Sequence, residues 1–214
     1  LLKQDNTLIL HLAEGWFWRL KKPQPKAIIA ELKIEYADGT SQSIGTDKSW
    51  LVAKSNLRFC HLYNGIKYNA SLSPVFKGKA VIAKDNSQAL LIPQEGETVK
   101  EHERLKVKEI ITTPKGETVL DFGQNMTGYV QFRIKGNKGE KAVIRHAEVL
   151  DAEGNFYNDN YRSAKAEATF ICDGEEHLVK PQYNFFGFRY VMLENFRKRT
   201  DMVIVLMGNH RIVD

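Results

Sequence analysis

Hydrophobic and polar residues alternate with a period of two along much of the chain. The clearest run, residues 28–36, sets Ile, Ala, Leu, Ile and Tyr at alternate positions against Ile, Glu, Lys and Glu. Such alternation points successive side chains to opposite faces, as a half-buried β-strand requires. The dipeptide Asp38-Gly39 follows, and glycine closes hairpins readily because it tolerates positive φ. This stretch therefore predicts a strand that enters a hairpin.

Two later segments repeat the alternation. Residues 130–135 alternate Val, Phe and Ile with Gln, Arg and Lys, and end at the glycine-bounded turn 136–139. A third predicted strand carries four large side chains that alternation places on one face: Phe186, Phe188, Tyr190 and Met192. Short strands separated by glycine-rich turns predict an all-β protein, here with two antiparallel β-sandwich domains of the jelly-roll kind.

Three segments depart from this pattern. Glu101–Lys108 is the best helix candidate, although it is short and poorly amphipathic. Residues 71–86 show no clear period and contain Pro74 and Gly78, so they predict a loop. The polar stretch Pro93–Glu97 separates two series of predicted strands. We therefore predict two domains, residues 1–97 and 98–214.

Charge adds little to this interpretation. The net charge of +5 arises in residues 1–100, which carry 14 Lys and Arg against 9 Asp and Glu. A nucleic-acid-binding surface needs a basic stripe, whereas this sequence has one short cluster beside prolines, which predicts a solvated loop: Arg19, Lys21, Lys22 and Lys26. We therefore expect no nucleic-acid partner. We also expect no membrane association, because no apolar run approaches the roughly 20 residues that a membrane-spanning helix needs.

The sequence does not predict a metal site or a disulfide. Cys60 and Cys172 lie far apart and form no CxxC pair, which favours two buried free thiols. His102, His146 and His177 are scattered, without the short spacings that zinc sites use. No secretory leader begins the printed sequence, so periplasmic, extracellular and cytoplasmic locations all stay open.

Carboxylates are the residues that most suggest catalysis. A glycosidase needs one carboxylic acid and one carboxylate, and five candidates lie between residues 121 and 159: Asp121, Glu148, Asp151, Glu153 and Asp159. Asp151-Ala152-Glu153-Gly154-Asn155 is equally typical of a turn in which Asp and Asn bind their own backbone. Spacing cannot place two of these groups across a cleft, so we assign no catalytic residue.

The aromatic cluster Trp16-Phe17-Trp18 has two interpretations. Flat rings stack on sugar faces, but most aromatic side chains are buried in cores. Core packing is favoured.

Several ordered motifs together resemble the bacterial α-L-rhamnosidases. The signature of the β-sandwich domain that precedes the catalytic barrel in that family is similar to three segments: Asp121–Asn125, Gly128–Val130 and Arg145–Asp151. The last conserved strand of the same domain resembles Gly187–Val191, and the amino-terminal module of the family resembles Thr46–Trp50 and Tyr63–Ala70. The resemblance extends to about Phe196.

This resemblance implies a role without catalysis. It places the acid and base in an (α/α)6 barrel, and no such helical pattern occurs in this sequence. The expected partner is therefore that barrel in the same polypeptide, with rhamnose-containing glycans as a further partner. The residues expected to tie a corner or to face the barrel are Asp121, Gln124, Asn125, His146, Glu148 and Arg189.

The resemblance also implies a sugar site in the amino-terminal module. Some relatives use that module for calcium-assisted binding of rhamnose, and the matching residues here are Trp50, Asn64, Tyr68 and Asn69. The family pattern Gly-Glu-x-Tyr-Asp-Ala-Arg reads Gly65-Ile66-Lys67-Tyr68-Asn69-Ala70-Ser71 in this chain. Two carboxylates and an arginine are thus absent, so we expect no calcium and weak sugar binding at most.

Two alternatives stay open. The first is that the chain is a free-standing, lectin-like carbohydrate-binding module. The second is that it is an interaction protein with a sandwich fold. A sandwich fold is compatible with both, because a fold alone does not decide function.

Overall fold

The computed structural model describes residues 5–13, 26–83, 92, 95–96, 99–181 and 183–196, together with the backbone of 202–208. Trp16–Trp18, most of the basic cluster and most of the predicted boundary at Pro93–Glu97 lie outside the described residues. The predicted division at residue 97 therefore stays a prediction.

The described chain is built from β-strands, which confirms the all-β class. The first eight strands are β1 (Glu31–Glu35), β2 (Ser41–Gly45), β3 (Leu51–Lys54), β4 (Leu57–His61), β5 (Gly65–Asn69), β6 (Val75–Lys79), β7 (Lys100–Lys106) and β8 (Glu109–Thr112). The next eight are β9 (Thr118–Lys135), β10 (Lys141–Ala147), β11 (Val149–Leu150), β12 (Phe156–Tyr157), β13 (Glu167–Ile171), β14 (Glu176–Val179), β15 (Phe186–Glu194) and β16 (Met202–Gly208). The one helical element among the described residues is a 3-10 turn at Asp159–Tyr161. No helix of the described part is long and apolar enough to span a membrane.

The chain forms two compact units that are not contiguous in sequence. Unit 1 comprises Leu1–Lys54 and Val75–Gln88, and unit 2 comprises Ser55–Pro74 and Ala89–Asp214. Unit 1 contains two antiparallel strand pairs, β1 with β2 and β3 with β6. The β1–β2 hairpin turns at Asp38, which confirms the prediction made from Asp38-Gly39.

Unit 2 is dominated by one ten-stranded sheet. Eight strands follow the order β4-β5-β13-β10-β15-β9-β16-β7, and β8 and β14 also pair with β9. Every pairing in this sheet is antiparallel except that of β5 with β13. Its apolar face forms the core of unit 2, which includes Phe122, Phe132, Ile144, Phe170, Phe188 and Val191.

Two predictions about local structure are wrong, and the one helix candidate is a strand. Residues 100–106 form strand β7 and not the candidate helix, because they pair with β16 along the sheet edge. The predicted loop at 71–86 contains β6, which pairs with β3. Phe186, Phe188, Tyr190 and Met192 do not share one face, because a register shift between Phe188 and Tyr190 turns Val191 into the core instead. Cys60 and Cys172 are both buried as thiols and not joined in a disulfide, as predicted.

Candidate functional site

A large β-bulge interrupts the pairing of β9 with β15. Phe188 pairs with Met126, but Tyr190 pairs with Asp121, so the segment Phe122–Asn125 lies opposite Arg189 alone. Gly123 has a φ of +86°, a left-handed conformation that glycine adopts without a steric cost. Bulges of this kind bend a strand and redirect its side chains, and they recur beside functional sites.

A clamp formed by Asp121 and Arg189 holds this bulge. Oδ1 of Asp121 accepts hydrogen bonds from Gly123 N at 2.6 Å and from Nε of Arg189 at 2.8 Å. Oδ2 accepts a third from the Arg189 guanidinium, also at 2.8 Å, so the ion pair is bidentate. Such charge-assisted pairs fix geometry as well as adding stability. The hydrogen bonds from Arg189 hold the pKa of the buried Asp121 carboxyl below its ordinary value.

The clamp leaves Gln124 and Asn125 exposed at the tip of the bulge. They are flanked in sequence by Phe122, which is packed in the core, and by the half-buried Met126. The amides therefore project from a rigid base, because both strand segments that lead to them are anchored. Exposed amides offer both donors and acceptors, which suits recognition of another polar surface.

A second group of polar side chains lies around Gly187, the β15 residue that precedes Phe188. Gly187 pairs with Thr127 of β9, and the hydroxyl of Tyr161 donates to the Gly187 carbonyl at 2.6 Å. The half-buried Glu148 lies beside Gly187 and accepts a hydrogen bond from Asn160 Nδ2 at 3.3 Å. Burial, and next the charge of Glu148, raise the pKa of the Tyr161 hydroxyl above its ordinary value.

The sequence did not point to Asn160 or Tyr161 in this group. They come from the 3-10 turn at Asp159–Tyr161, which meets Gly187 only in the tertiary structure. No short-range pattern in the sequence marks them.

His146 lies in the core and not at this surface. Its ring packs between Phe186 and Phe188, with centroid distances of 4.7 and 4.6 Å. Nδ1 lies 2.6 Å from the carbonyl oxygen of Ala166; because a carbonyl only accepts, Nδ1 carries the proton. Nε2 is buried without a hydrogen-bond partner. Burial lowers the pKa of His146 to about 4, so the ring is neutral at neutral pH.

Asp151, another carboxylate of the candidate set, serves the local fold. Asp151 Oδ1 accepts hydrogen bonds from the backbone N of Asn155 at 2.6 Å and of Glu153 at 3.1 Å. These bonds, led by the one from Asn155, lower the pKa of Asp151. A general acid needs a raised pKa, so neither Asp151 nor Asp121 has the properties of one.

The candidate sugar-binding residues fall in different units. Trp50 belongs to unit 1, where its indole Nε1 donates to the Gly45 carbonyl at 3.0 Å. Asn64, Tyr68 and Asn69 belong to unit 2. Tyr68 stacks on Phe170 at 5.4 Å and its hydroxyl accepts a hydrogen bond from Asn56.

These residues do not fit a calcium site. Oδ1 of Asn69 already accepts a hydrogen bond from the Ser71 backbone N–H at 3.0 Å. Lys67, whose side chain is positively charged, is exposed on the same strand as Tyr68 and Asn69. In unit 1, Oδ1 of Asp47 is likewise occupied by the backbone N and hydroxyl of Ser49. Calcium requires six to eight oxygen ligands, usually with several carboxylates. Among the described residues, no group of three or more His, Cys, Asp or Glu side chains is arranged to hold a metal ion.

Comparison with known families matches almost the whole chain. Residues 1–108 match the α-L-rhamnosidase N-terminal domain, and residues 111–208 match the bacterial α-L-rhamnosidase concanavalin-like domain.

Individual relatives give the same result. An α-L-rhamnosidase of Streptomyces avermitilis is 34% identical over 209 residues, which cover 89% of this chain and 20% of the relative. One from Formosa agariphila is 32% identical over 214 residues, covering 90% of this chain and 23% of the relative. The crystal structure of the Streptomyces avermitilis enzyme complexed with L-rhamnose superposes with a TM-score of 0.76 and 31% identity, over 85% of this chain and 19% of that one.

Proposed function

We infer the function from one premise: this chain belongs to the bacterial α-L-rhamnosidase family of glycoside hydrolases. We propose that it is the non-catalytic, amino-terminal part of such an enzyme. The observation that carries the proposal is coverage, because the chain matches its relatives along nearly its whole length yet spans only about a fifth of theirs. An all-β piece of this size supplies a scaffold and leaves the reaction to the rest of the enzyme.

The reaction proposed for the whole enzyme is inverting hydrolysis of terminal α-L-rhamnose. A carboxylic acid protonates the leaving oxygen while a carboxylate activates water on the opposite face of the sugar. The lowered pKa values of Asp121 and Asp151 argue against their acting as the acid. Both carboxylates are instead engaged in local structure, Asp121 with Gly123 and Arg189, and Asp151 with Glu153 and Asn155.

The proposed contact surface for the catalytic barrel is the tip of the clamped bulge. Gln124 and Asn125 are exposed there, and Glu148 with Asn160 lies at the adjoining strand position. Amides and a carboxylate provide both donors and acceptors, as the polar rim of a domain interface requires. The Asp121–Arg189 pair acts behind this surface and keeps its shape.

An activity assay tests the absence of catalysis. The purified chain is incubated with an aryl α-L-rhamnoside, and the Glu148→Ala variant is the matched control, because Glu148 is the carboxylate beside the proposed surface. We expect both proteins to leave the substrate intact at equal background rates. Turnover by the unchanged chain above that of Glu148→Ala would refute the proposal.

A second measurement separates the proposal from a free-standing module. The reading frame downstream of Asp214 is sequenced in the source genome. Continuation into a long region with helical periodicity supports an enzyme scaffold, whereas a stop codon directly after the chain supports a lectin-like or interaction module.

A further inference from the structure

The hairpin formed by β4 and β5 belongs to unit 2 although strands of unit 1 precede and follow it. The chain leaves unit 1 after Lys54 and returns to it at Val75. Between these points β4 and β5 pair with each other, and β5 pairs in parallel with β13 from Gly65 opposite Glu167 to Asn69 opposite Ile171. A segment inside the N-terminal domain match thus extends the sheet that carries the concanavalin-like domain.

The turn of this hairpin is anchored by contacts to two separate segments. Ala166 donates its backbone N–H to the Tyr63 carbonyl at 3.0 Å. Asn184 is fully buried; its Nδ2 donates to the His61 carbonyl at 2.8 Å and its Oδ1 lies 2.9 Å from Cys60 Sγ. Both ends of the Asn184 amide therefore bind the hairpin, and truncation of Asn184 removes both contacts.

The far end of β5 is anchored to the strand end of β13. Ala70 N donates to the Ile171 carbonyl at 2.9 Å, and the Ser71 hydroxyl donates to the Cys172 carbonyl at 2.7 Å. Ile66 is buried in the core of unit 2, and Tyr68 packs against the same core. The hairpin is thus held by backbone bonds along its length and by apolar contacts beneath it.

Gly65 allows the close approach of the two strands. Its φ is +97°, and a Cβ atom there would lie 1.8 Å from the Glu167 carbonyl oxygen and 2.7 Å from the carbonyl carbon. Backbone atoms of a central strand cannot move aside as the end of a side chain can. Position 65 therefore accepts glycine alone while the hairpin is docked.

From these contacts we propose that the outer edge of β13, with Ala166 and Asn184, is a strand-acceptor groove of the concanavalin-like domain. Its occupant is the 55–74 hairpin of this chain, an extended segment with apolar anchors and a glycine at the point of closest approach. Recognition follows β-strand addition, in which backbone hydrogen bonds give affinity and side-chain positions give selectivity. The functional boundary of the second domain consequently includes residues 55–74. This inference does not depend on the function proposed above.

The test first displaces the hairpin from the groove in the full chain and then adds the same segment as a separate peptide. Gly65→Ala introduces the clash, and Gly174→Ala is the matched control, because Gly174 has a similar φ of +108° with no atom within 4 Å of its Cβ position. Hydrogen exchange is followed at the amides of Ala166 and Ala70, which donate across the groove, and at Cys172, which donates to Glu140 and reports the rest of the sheet. We expect exchange at Ala166 and Ala70 to accelerate about tenfold or more in Gly65→Ala alone, with Cys172 still protected.

A synthetic peptide with the sequence of residues 55–74 is then added to each protein. We expect it to bind Gly65→Ala, to restore protection of Ala166, and to leave the unchanged chain unaffected. The same peptide with alanine at position 65 is the control that should not bind. If Gly65→Ala does not fold, Ile66→Ala is used with the same readouts, because Ile66 anchors the hairpin from its own side and its truncation leaves Ala166 and Asn184 of the groove intact. Unchanged protection at Ala166, or a folded variant that ignores the peptide, would overturn the proposal.

Discussion

At the residue scale, His146 is the group whose ionisation the fold opposes most clearly. Its ring is enclosed by two phenylalanines and its Nε2 has no partner, so a charge there is poorly solvated. The folded pKa of about 4 lies below the ordinary value of 6.5. Between these values the unfolded chain binds a proton that the folded chain does not bind.

We therefore predict that the free energy of unfolding falls as the pH is lowered from about 6.5 to 4. The pKa difference corresponds to at most about 3 kcal/mol, all of which is present above pH 6.5. Urea unfolding at a series of pH values measures this slope. His146→Phe fills the same space without a titratable group and should remove the slope over this range. If His146→Phe keeps the full slope, the pH dependence of the free energy of unfolding comes from other histidines.

At the element scale, the bulge depends on one carboxylate. Asp121 joins the bulge residue Gly123 to Arg189 on the opposing strand through three hydrogen bonds. Two of these bonds cross from β15 to β9, and the third lies within β9, so one carboxylate holds the bulge on both strands. Because the pKa of Asp121 is lowered by folding, its stabilising contribution is present above its ordinary pKa and is lost as the pH falls through the lower folded value.

Asp121→Ala should lower the free energy of unfolding by about 1–3 kcal/mol, because it leaves the Gly123 N–H and the Arg189 guanidinium without their partner. The loss is measured by thermal and urea unfolding at neutral pH. Asp38→Ala is the matched control, since Asp38 also accepts bonds two residues ahead, from Thr40, but in an exposed turn. The free energy of unfolding should fall less in the Asp38→Ala control than in Asp121→Ala. Equal losses in the two variants would show that the clamp adds nothing to an ordinary turn.

At the scale of the whole molecule, the sugar affinity of the chain is expected to be low. The candidate groups Tyr68 and Asn69 are already engaged by Asn56 and Ser71. Neutral hydrogen bonds contribute only about 0.5–1.5 kcal/mol each, whereas a dissociation constant of 1 mM already requires about 4 kcal/mol after the costs of association.

Calorimetric titration with L-rhamnose should give a dissociation constant of about 1 mM or weaker, with no effect of calcium. Asn64→Ala is the control that shows whether any residual heat comes from the proposed site. A calcium-dependent dissociation constant in the micromolar range would contradict this expectation and would require carboxylates from another part of the enzyme.

Sequence patterns that depend on neighbouring residues predicted the local structure well. The turn at Asp38-Gly39 and the strand at 130–135 are confirmed, because both depend on φ preferences and on alternation within a few residues. The helix candidate at 101–108 failed for the opposite reason. Pairing with β16, about 100 residues further along the chain, decides that segment against a weak local preference.

The candidate site likewise combines residues that the sequence identified with a contact that it did not predict. Asp121 and Arg189 were both selected from motifs, but nothing in the sequence showed that they bind each other across 68 positions. The bulge that joins them also inverted the predicted face of β15, since a register shift moves every following side chain to the other side of the sheet.

The sequence alone determined the all-β class, the family and the hairpin turn at Asp38-Gly39, because each follows from short motifs or from alternation along the chain. Only the tertiary structure decided that residues 55–74 belong to the second unit, that four residues of β9 bulge against Arg189, and that Asn160 and Tyr161 meet Gly187. All three depend on which strands pair and in what register. Strand pairing joins residues that are distant in the chain through backbone groups that every residue carries, so the amino-acid pattern of one segment does not specify its partner.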